Sequence, residues 1–235
     1  MIPLHDLNPT RRAPVVTRLL ILANALVWIY ILSISGDPAA LRAFYDQWSF
    51  DPNALRSTVA SGHVSLVTFL PIITHQFIHA GWLHILGNML YLWIFGDNVE
   101  DAMGPGTYVL FYLVAGIVAA VGQAIVAPAA MVGASGAIAG ILGAYLVLSP
   151  GARVRTLVFL GIFITVVTLP AIVVIGEWIV IQILSGLGSM RISSSSATEN
   201  VAYVAHVFGF LAGLLVGLAV RAFGSGDATT AGSRG

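Results

Sequence analysis

The chain has 235 residues, of which 58% are hydrophobic and 9% charged, and its formal net charge is zero. A soluble domain carries about 25% charged residues, so too few charges remain here to cover a water-facing surface, and bilayer lipid is the alternative solvent. The balanced charge argues against a nucleic-acid partner, every basic residue is Arg, and the absence of Cys excludes disulfides, thiolate metal sites and a cysteine nucleophile.

Residues 1–17 read as a cytoplasmic N-terminal segment. Arg11, Arg12 and Arg18 precede an apolar run, and Ser33-Ile34-Ser35 resembles a signal-peptide cleavage site. Trp28 and Tyr30 near the far end of that run suit an interfacial anchor instead, so 18–35 is expected to stay as a first span. Residues 36–81 form a long loop bearing Phe44, Tyr45, Trp48 and Phe50, aromatics that suit either an interfacial segment or ordinary loop packing. Further apolar runs at 82–97, 107–127, 135–149 and 202–223 read as spans, separated by breaks at Gly104-Pro105-Gly106, Pro128, Pro150-Gly151 and Ser193–Ser196. The stretch 156–187 is too long for one span and contains Pro170, so hydropathy alone permits either two short spans or one span over 171–187 after an extended or interfacial segment. Residues 224–235 are small and polar, and a disordered tail is expected there. The expected fold is an all-α membrane protein whose membrane domain covers 18–223.

With six spans and a cytoplasmic N-terminus, Arg11, Arg12, Arg18, Arg153, Arg155, Arg221 and Arg234 lie inside and Arg42, Arg56 and Arg191 outside. That bias satisfies the positive-inside rule and places both termini in the cytoplasm. Asp97, Glu100 and Asp101 also fall inside, where pairing with Arg153 or Arg155 is expected.

Polar groups inside apolar spans default to a functional reading, because they are costly at membrane depth. Ser135 stands in Gly133-Ala134-Ser135-Gly136 and begins a helix running to about Ser149. Such a helix is about 22 Å long against a hydrocarbon core of about 30 Å, so Ser135 sits roughly 8 Å beneath the outer surface if the other end is at the boundary. The preceding loop must then line a wet cavity or be buried in protein. His206 begins the last span, followed by Gly209, Gly213 and Gly217, which share one smooth helix face; Gly136, Gly140 and Ala144 repeat the device on the Ser135 helix. Gly136, Gly140, Gly209 and Gly213 are therefore expected to pack these two helices closely and to bring Ser135 within hydrogen-bond reach of His206. Neutral imidazole is the usual base for a Ser hydroxyl, and with no acid in sight the expectation is a Ser-His dyad. His84 and Asn88 are spaced i, i+4 on the second span, and with the Ser135 backbone N–H they form a candidate oxyanion-stabilising set. Ser135 and His206 each begin a helix running inward, so one crossing lies between them and 156–169 is not a separate span.

Structural alternatives exist for each residue: a helix cap for Ser135, a packing histidine for His206, interhelical glue for Asn88. His75, His79 and His84 invite a metal reading, but the chain has no His-Glu-x-x-His and no acid nearby in the apolar part. No metal and no cofactor is expected, and His75 and His79 are assigned to the hydrogen bonding of the first loop.

At these residues the chain resembles the rhomboid family of intramembrane serine proteases. The matching pieces are Thr74–Asn88 with His75, His79, His84 and Asn88, then Phe95-Gly96-Asp97-Asn98-Val99-Glu100, Gly133–Gly136, and Ala205-His206 with Gly209 and Gly213, in family order from Thr74 to Gly217. The resemblance implies a six-transmembrane-helix bundle, an endopeptidase that cleaves single-span membrane proteins, Ser135 as nucleophile, His206 as base, and His84 and Asn88 facing the oxyanion. It implies transmembrane protein substrates and lipid as partners, in the cytoplasmic membrane of a bacterium. The chain departs from the family where some members carry a Tyr four residues after the nucleophile (here Ala139), where many have a small residue two positions after the His (here Phe208), and where some have Trp-Arg in the first loop (Trp48 is followed by Ser49). Glu177 is left to pairing with Gln182 or a loop group, or to the substrate entrance. A catalytically silent rhomboid-like protein that binds client helices is the alternative, but it is expected to lose Ser135 or His206; a transporter is expected to show internal repeats, which are not found.

Overall fold

The structure is a computed structural model that describes residues 1–161, 163–191 and 203–224; the Ser193–Ser196 break and the tail after Gly224 lie outside the described residues. The chain runs β1 (Ile2–Asp6), α1 (Val15–Ile34), α2 (Pro38–Trp48), α3 (Pro52–Ala60), α4 (Pro71–Thr74), α5 (Trp82–Met103), α6 (Pro105–Val126), α7 (Ser135–Leu148), β2 (Arg153–Leu160), β3 (Phe163–Pro170), α8 (Ala171–Arg191) and α9 (Tyr203–Gly224), with short 3-10 turns at Leu66–Phe69 and His75–Phe77. Among the described residues, α1, α6 and α9 are long and apolar enough to cross a membrane, and a fourth candidate is α5 joined to Leu66–Phe77 through an 80° bend. α7 and the first part of α8 are shorter apolar helices.

α7 is the centre of the bundle. It is buried without interruption from Gly136 through Tyr145, which fits a helix apolar on every side. The rest of the core, including Phe95, Tyr108, Phe111, Ile175 and Phe210 from the surrounding helices, packs around it.

The all-α expectation is corrected at one place. Arg153–Leu160 and Phe163–Pro170 pair as an antiparallel hairpin, with Gly161 at φ +62°, and β1 pairs with its first strand in the order β1-β2-β3. Register runs from Ile2 opposite Leu157 to Asp6 opposite Val154. Asp6 ends β1 as a buried latch: its carboxylate accepts from the Tyr145 hydroxyl at 2.7 Å and from Asn98 Nδ2 at 3.1 Å. Burial pushes the Asp6 carboxyl above its usual range.

The acidic group of α5 does not pair with Arg153 or Arg155 as expected. Glu100 reaches α1, where its carboxylate accepts from the Val16 and Thr17 backbone N–H groups at 2.9 and 2.8 Å and from the Thr17 hydroxyl at 2.8 Å. It thereby satisfies helix N-terminal donors that α1 cannot satisfy itself, since Pro14 offers no side-chain cap. Asp101 pairs with Arg11 at 3.3 Å, and Asp97 accepts from the Asn98 backbone N–H at 2.7 Å. These contacts hold the N-terminal 17 residues to α5.

The first loop is itself helical. Asp37-Pro38 and Asp51-Pro52 each place a carboxylate at a helix N-cap and a proline in the first turn: Asp37 accepts from Ala39 N–H at 2.9 Å and Asp51 from Asn53 N–H at 2.8 Å. The loop aromatics pack rather than float. Phe44, Tyr45 and Trp48 lie against Trp28, Ile31, Ile78 and Ile85, and Phe50 is buried beside Met131 and Ala205.

Candidate active site

Two helix starts and the loop between α6 and α7 build the site. Backbone hydrogen bonds stitch that loop in place: Phe50 and Met131 exchange bonds at 3.1 and 2.9 Å, and Gly133 N–H donates to the His75 carbonyl at 2.8 Å. Gly133 has φ +121°, and a Cβ there would meet His84 Nε2 at 2.5 Å. Glycine is therefore needed both for the backbone turn and for the approach of the His84 ring.

Ser135 is the first residue of α7, and the helix start carries no side-chain cap, so the helix-cap alternative for Ser135 has no support. Its Oγ lies 2.7 Å from His206 Nε2. His206 is 5% exposed in the first turn of α9. The Ala205 N–H, one residue earlier, donates to Gln123 Oε1 at 3.2 Å, and Gln123 Nε2 donates to the Ala127 carbonyl at 2.6 Å. One buried glutamine of α6 thus ties the start of α9 to the beginning of the loop that carries Ser135.

The approach of α9 to α7 depends on glycine. A Cβ on Gly209 would strike the Gly136 carbonyl oxygen, and one on Gly213 the Gly140 carbonyl oxygen. The missing side chains of Gly136 and Gly140 themselves face α6, where a Cβ would come within 2.6 Å of the Ala119 methyl or 2.7 Å of the Ala115 methyl. Gly143, which the four-residue spacing passes over, is as tight as any: a Cβ there would run into the Phe210 carbonyl oxygen. Gly209→Leu and Gly213→Leu are each expected to destabilise the fold by about 1–3 kcal/mol, read as a lower melting temperature in detergent. Unchanged melting of both would show that this contact is not formed.

Of the remaining site candidates, His84 is half-buried against Gly133, and Asn88 is buried one helical turn further along α5 with its Nδ2 lacking a hydrogen-bond partner among the described residues. A buried amide donor without an acceptor is costly and is available to a ligand oxygen. His75 and His79 do organise the first loop, but largely through their carbonyls: His75 O receives Gly133 N–H, and His79 O receives the Tyr45 hydroxyl at 2.8 Å. Glu177 is not paired with Gln182; its Oε1 lies 3.1 Å from the Met1 nitrogen.

Two departures from the family pattern have structural accounts. Phe208 fits because Gly122 on α6 leaves space for its ring, which a Cβ would fill. At Ala139, buried and close to Gly209 of α9, no ring is present to stack on His206. Gln182 instead reaches the other ring nitrogen of His206, a contact that residue spacing does not reveal: its Oε1 is 2.7 Å from Nδ1.

A hydroxyl within hydrogen-bond reach of a buried imidazole is an arrangement suited to acyl transfer. The known proteins to which the chain is similar carry rhomboid names. The family model for the rhomboid domain matches residues 67–223. The chain is 38% identical over 96 residues to rhomboid protease GluP of Bacillus subtilis, covering 41% of this chain and 19% of that protein. It is 23% identical over 202 residues to the chloroplastic rhomboid-like protein 11 of Arabidopsis thaliana, 83% of this chain and 64% of that one. It is 30% identical over 106 residues to rhomboid protease GlpG of Salmonella newport, 45% of this chain and 33% of that one. The matches thus span less than two thirds of each of these relatives.

Proposed function

The chain belongs to the rhomboid family, and from that premise we propose that it is an intramembrane serine endopeptidase that cleaves single-span membrane proteins within or near their transmembrane segment. The observation that carries this reading is the 2.7 Å separation of Ser135 Oγ and His206 Nε2 at the starts of two closely packed helices. Ser135 Oγ attacks the scissile carbonyl carbon while His206 Nε2 takes its proton. The carbonyl oxygen becomes an oxyanion, and the donors assigned to it are the Ser135 backbone N–H, His84 and Asn88. Collapse of the intermediate breaks the C–N bond, and His206 returns the proton to the leaving amine. Water then hydrolyses the acyl-enzyme by the same route, with His206 again as base.

In this reading α1, α5, α6, α7, α8 and α9 are the six spans, with the hairpin β2–β3 and both termini on the cytoplasmic side. The arginine distribution supports that orientation. A catalytically silent protein that binds client helices is the weaker alternative, since it has no need of a hydroxyl and imidazole held at this distance.

The test is reconstitution of the purified protein in liposomes with a single-span test substrate. Two fragments, with the cut in or near the transmembrane segment, are the expected products. Intact substrate, under conditions where the protein remains folded, would overturn the reading.

A further inference from the structure

His206 has a second partner that the dyad does not require. Gln182 Oε1 lies 2.7 Å from His206 Nδ1, and the Trp178 ring lies beside the same imidazole, with centroids 5.5 Å apart and planes tilted by 40°. Trp178 and Gln182 are spaced i, i+4 and so share one face of α8. We propose that Gln182 is a positioning residue for the base, fixing the tautomer and orientation of His206 from α8.

The chemistry follows from donor and acceptor inventories. An amide oxygen can only accept, so the hydrogen bond puts the imidazole proton on Nδ1. Nε2 then presents its lone pair to the Ser135 hydroxyl, the form in which neutral imidazole takes a proton. Without an acceptor at Nδ1 the ring is free to adopt the other tautomer, whose Nε2–H cannot accept from Ser135. It also loses a polar tether, leaving ring contacts such as that with Trp178 to hold its orientation. A neutral amide in the third position has precedent in papain-like proteases, where an Asn serves the catalytic His. The difference from a carboxylate is that Gln182 orients the ring without adding a negative charge to a buried site, where an unpaired charge is expensive. Because Gln182 and Trp178 both come from α8, the geometry of the base depends on α8 remaining docked against α9.

This inference rests on the protease reading, and its test separates the two. Turnover of a single-span substrate is compared for wild type, Gln182→Leu and Gln182→Glu, and the ring-nitrogen ¹⁵N spectrum of His206 is recorded for wild type and Gln182→Leu, the His206 signals being those missing from His206→Ala. Gln182→Leu is expected to lower kcat roughly 10–100-fold, short of the roughly 10⁴-fold seen where a serine protease loses the correct tautomer, and to leave KM within about twofold. Gln182→Glu keeps an acceptor oxygen at the same reach and is expected to retain more turnover than the Leu variant. A merely structural role predicts the reverse order, because Leu suits an apolar helix and a carboxylate does not. The wild-type spectrum should show the proton on Nδ1, and the Leu variant a mixture or the opposite tautomer. Wild-type turnover in Gln182→Leu, a Glu variant worse than Leu, or a wild-type proton on Nε2 each overturns the positioning role while leaving the protease reading in place. A folded wild-type protein that cleaves nothing overturns both.

Discussion

Ser135→Ala and His206→Ala are each expected to abolish substrate cleavage, with kcat falling by roughly 10⁴–10⁶-fold. The reason is that nucleophile and base act as one unit. Without the hydroxyl no acyl-enzyme forms; without the imidazole the hydroxyl keeps its proton at neutral pH and remains a poor nucleophile. The double variant should be no worse than either single one, because the second substitution removes a partner already made useless. Neither change should unfold the protein. Ser135→Ala removes one half-buried hydroxyl and one hydrogen bond, worth about 0.5–1.5 kcal/mol net, and the packing of α7 on α9 rests on Gly209 and Gly213 rather than on this pair. Product formation per folded molecule is the check. Appreciable turnover in Ser135→Ala would remove Ser135 from the mechanism.

Asn88→Ala is expected to lower kcat by roughly 10–1,000-fold while changing KM little. Loss of one oxyanion donor typically costs about 100–1,000-fold, and the remaining donors temper the effect here. The buried Nδ2 of Asn88 has no partner among the described residues, so in the proposed mechanism it is a donor open to a substrate oxygen. A donor that bonds only the developing oxyanion affects turnover rather than substrate binding. Asn88→Gln moves the amide by a methylene and should not restore full activity. If Asn88 is instead glue between helices, Asn88→Ala lowers the melting temperature and the folded enzyme turns over normally, which would take Asn88 out of the site.

How much of this was legible in sequence depended on range. The long apolar helices α1, α6 and α9 announce themselves by composition, and Ser135 and His206 stand out because polar groups are rare in such runs. Hydropathy alone left 156–187 open; requiring both helix starts to meet favoured one crossing after an extended or interfacial segment, and the structure has a hairpin followed by the apolar helix α8 there. The sheet was harder to foresee. Only the start of its hairpin, Arg153 to Thr156, alternates exposed and buried; from Leu157 on the hairpin is mostly apolar and lacks the sustained alternation that marks a half-buried strand, and β1 pairs with residues some 150 positions away. Asp37-Pro38 and Asp51-Pro52 carried a readable helix-start signal that the reading of 36–81 as a loop did not use. The partners of Glu100 and Asp101 were misassigned because charge and membrane side are sequence properties, whereas distance is not. Gln182 gave no warning, since an isolated amide in an apolar helix has no spacing that marks its partner as the His206 ring.

The central claim is that His206 activates Ser135 as a nucleophile. Intact-protein mass spectrometry after exposure to a fluorophosphonate, an electrophile that captures activated serine hydroxyls, tests it most directly. The account predicts a single adduct, mapped by peptide sequencing to Ser135, and none in Ser135→Ala or His206→Ala. An adduct that persists in folded His206→Ala protein, or one that maps to another residue, would contradict it.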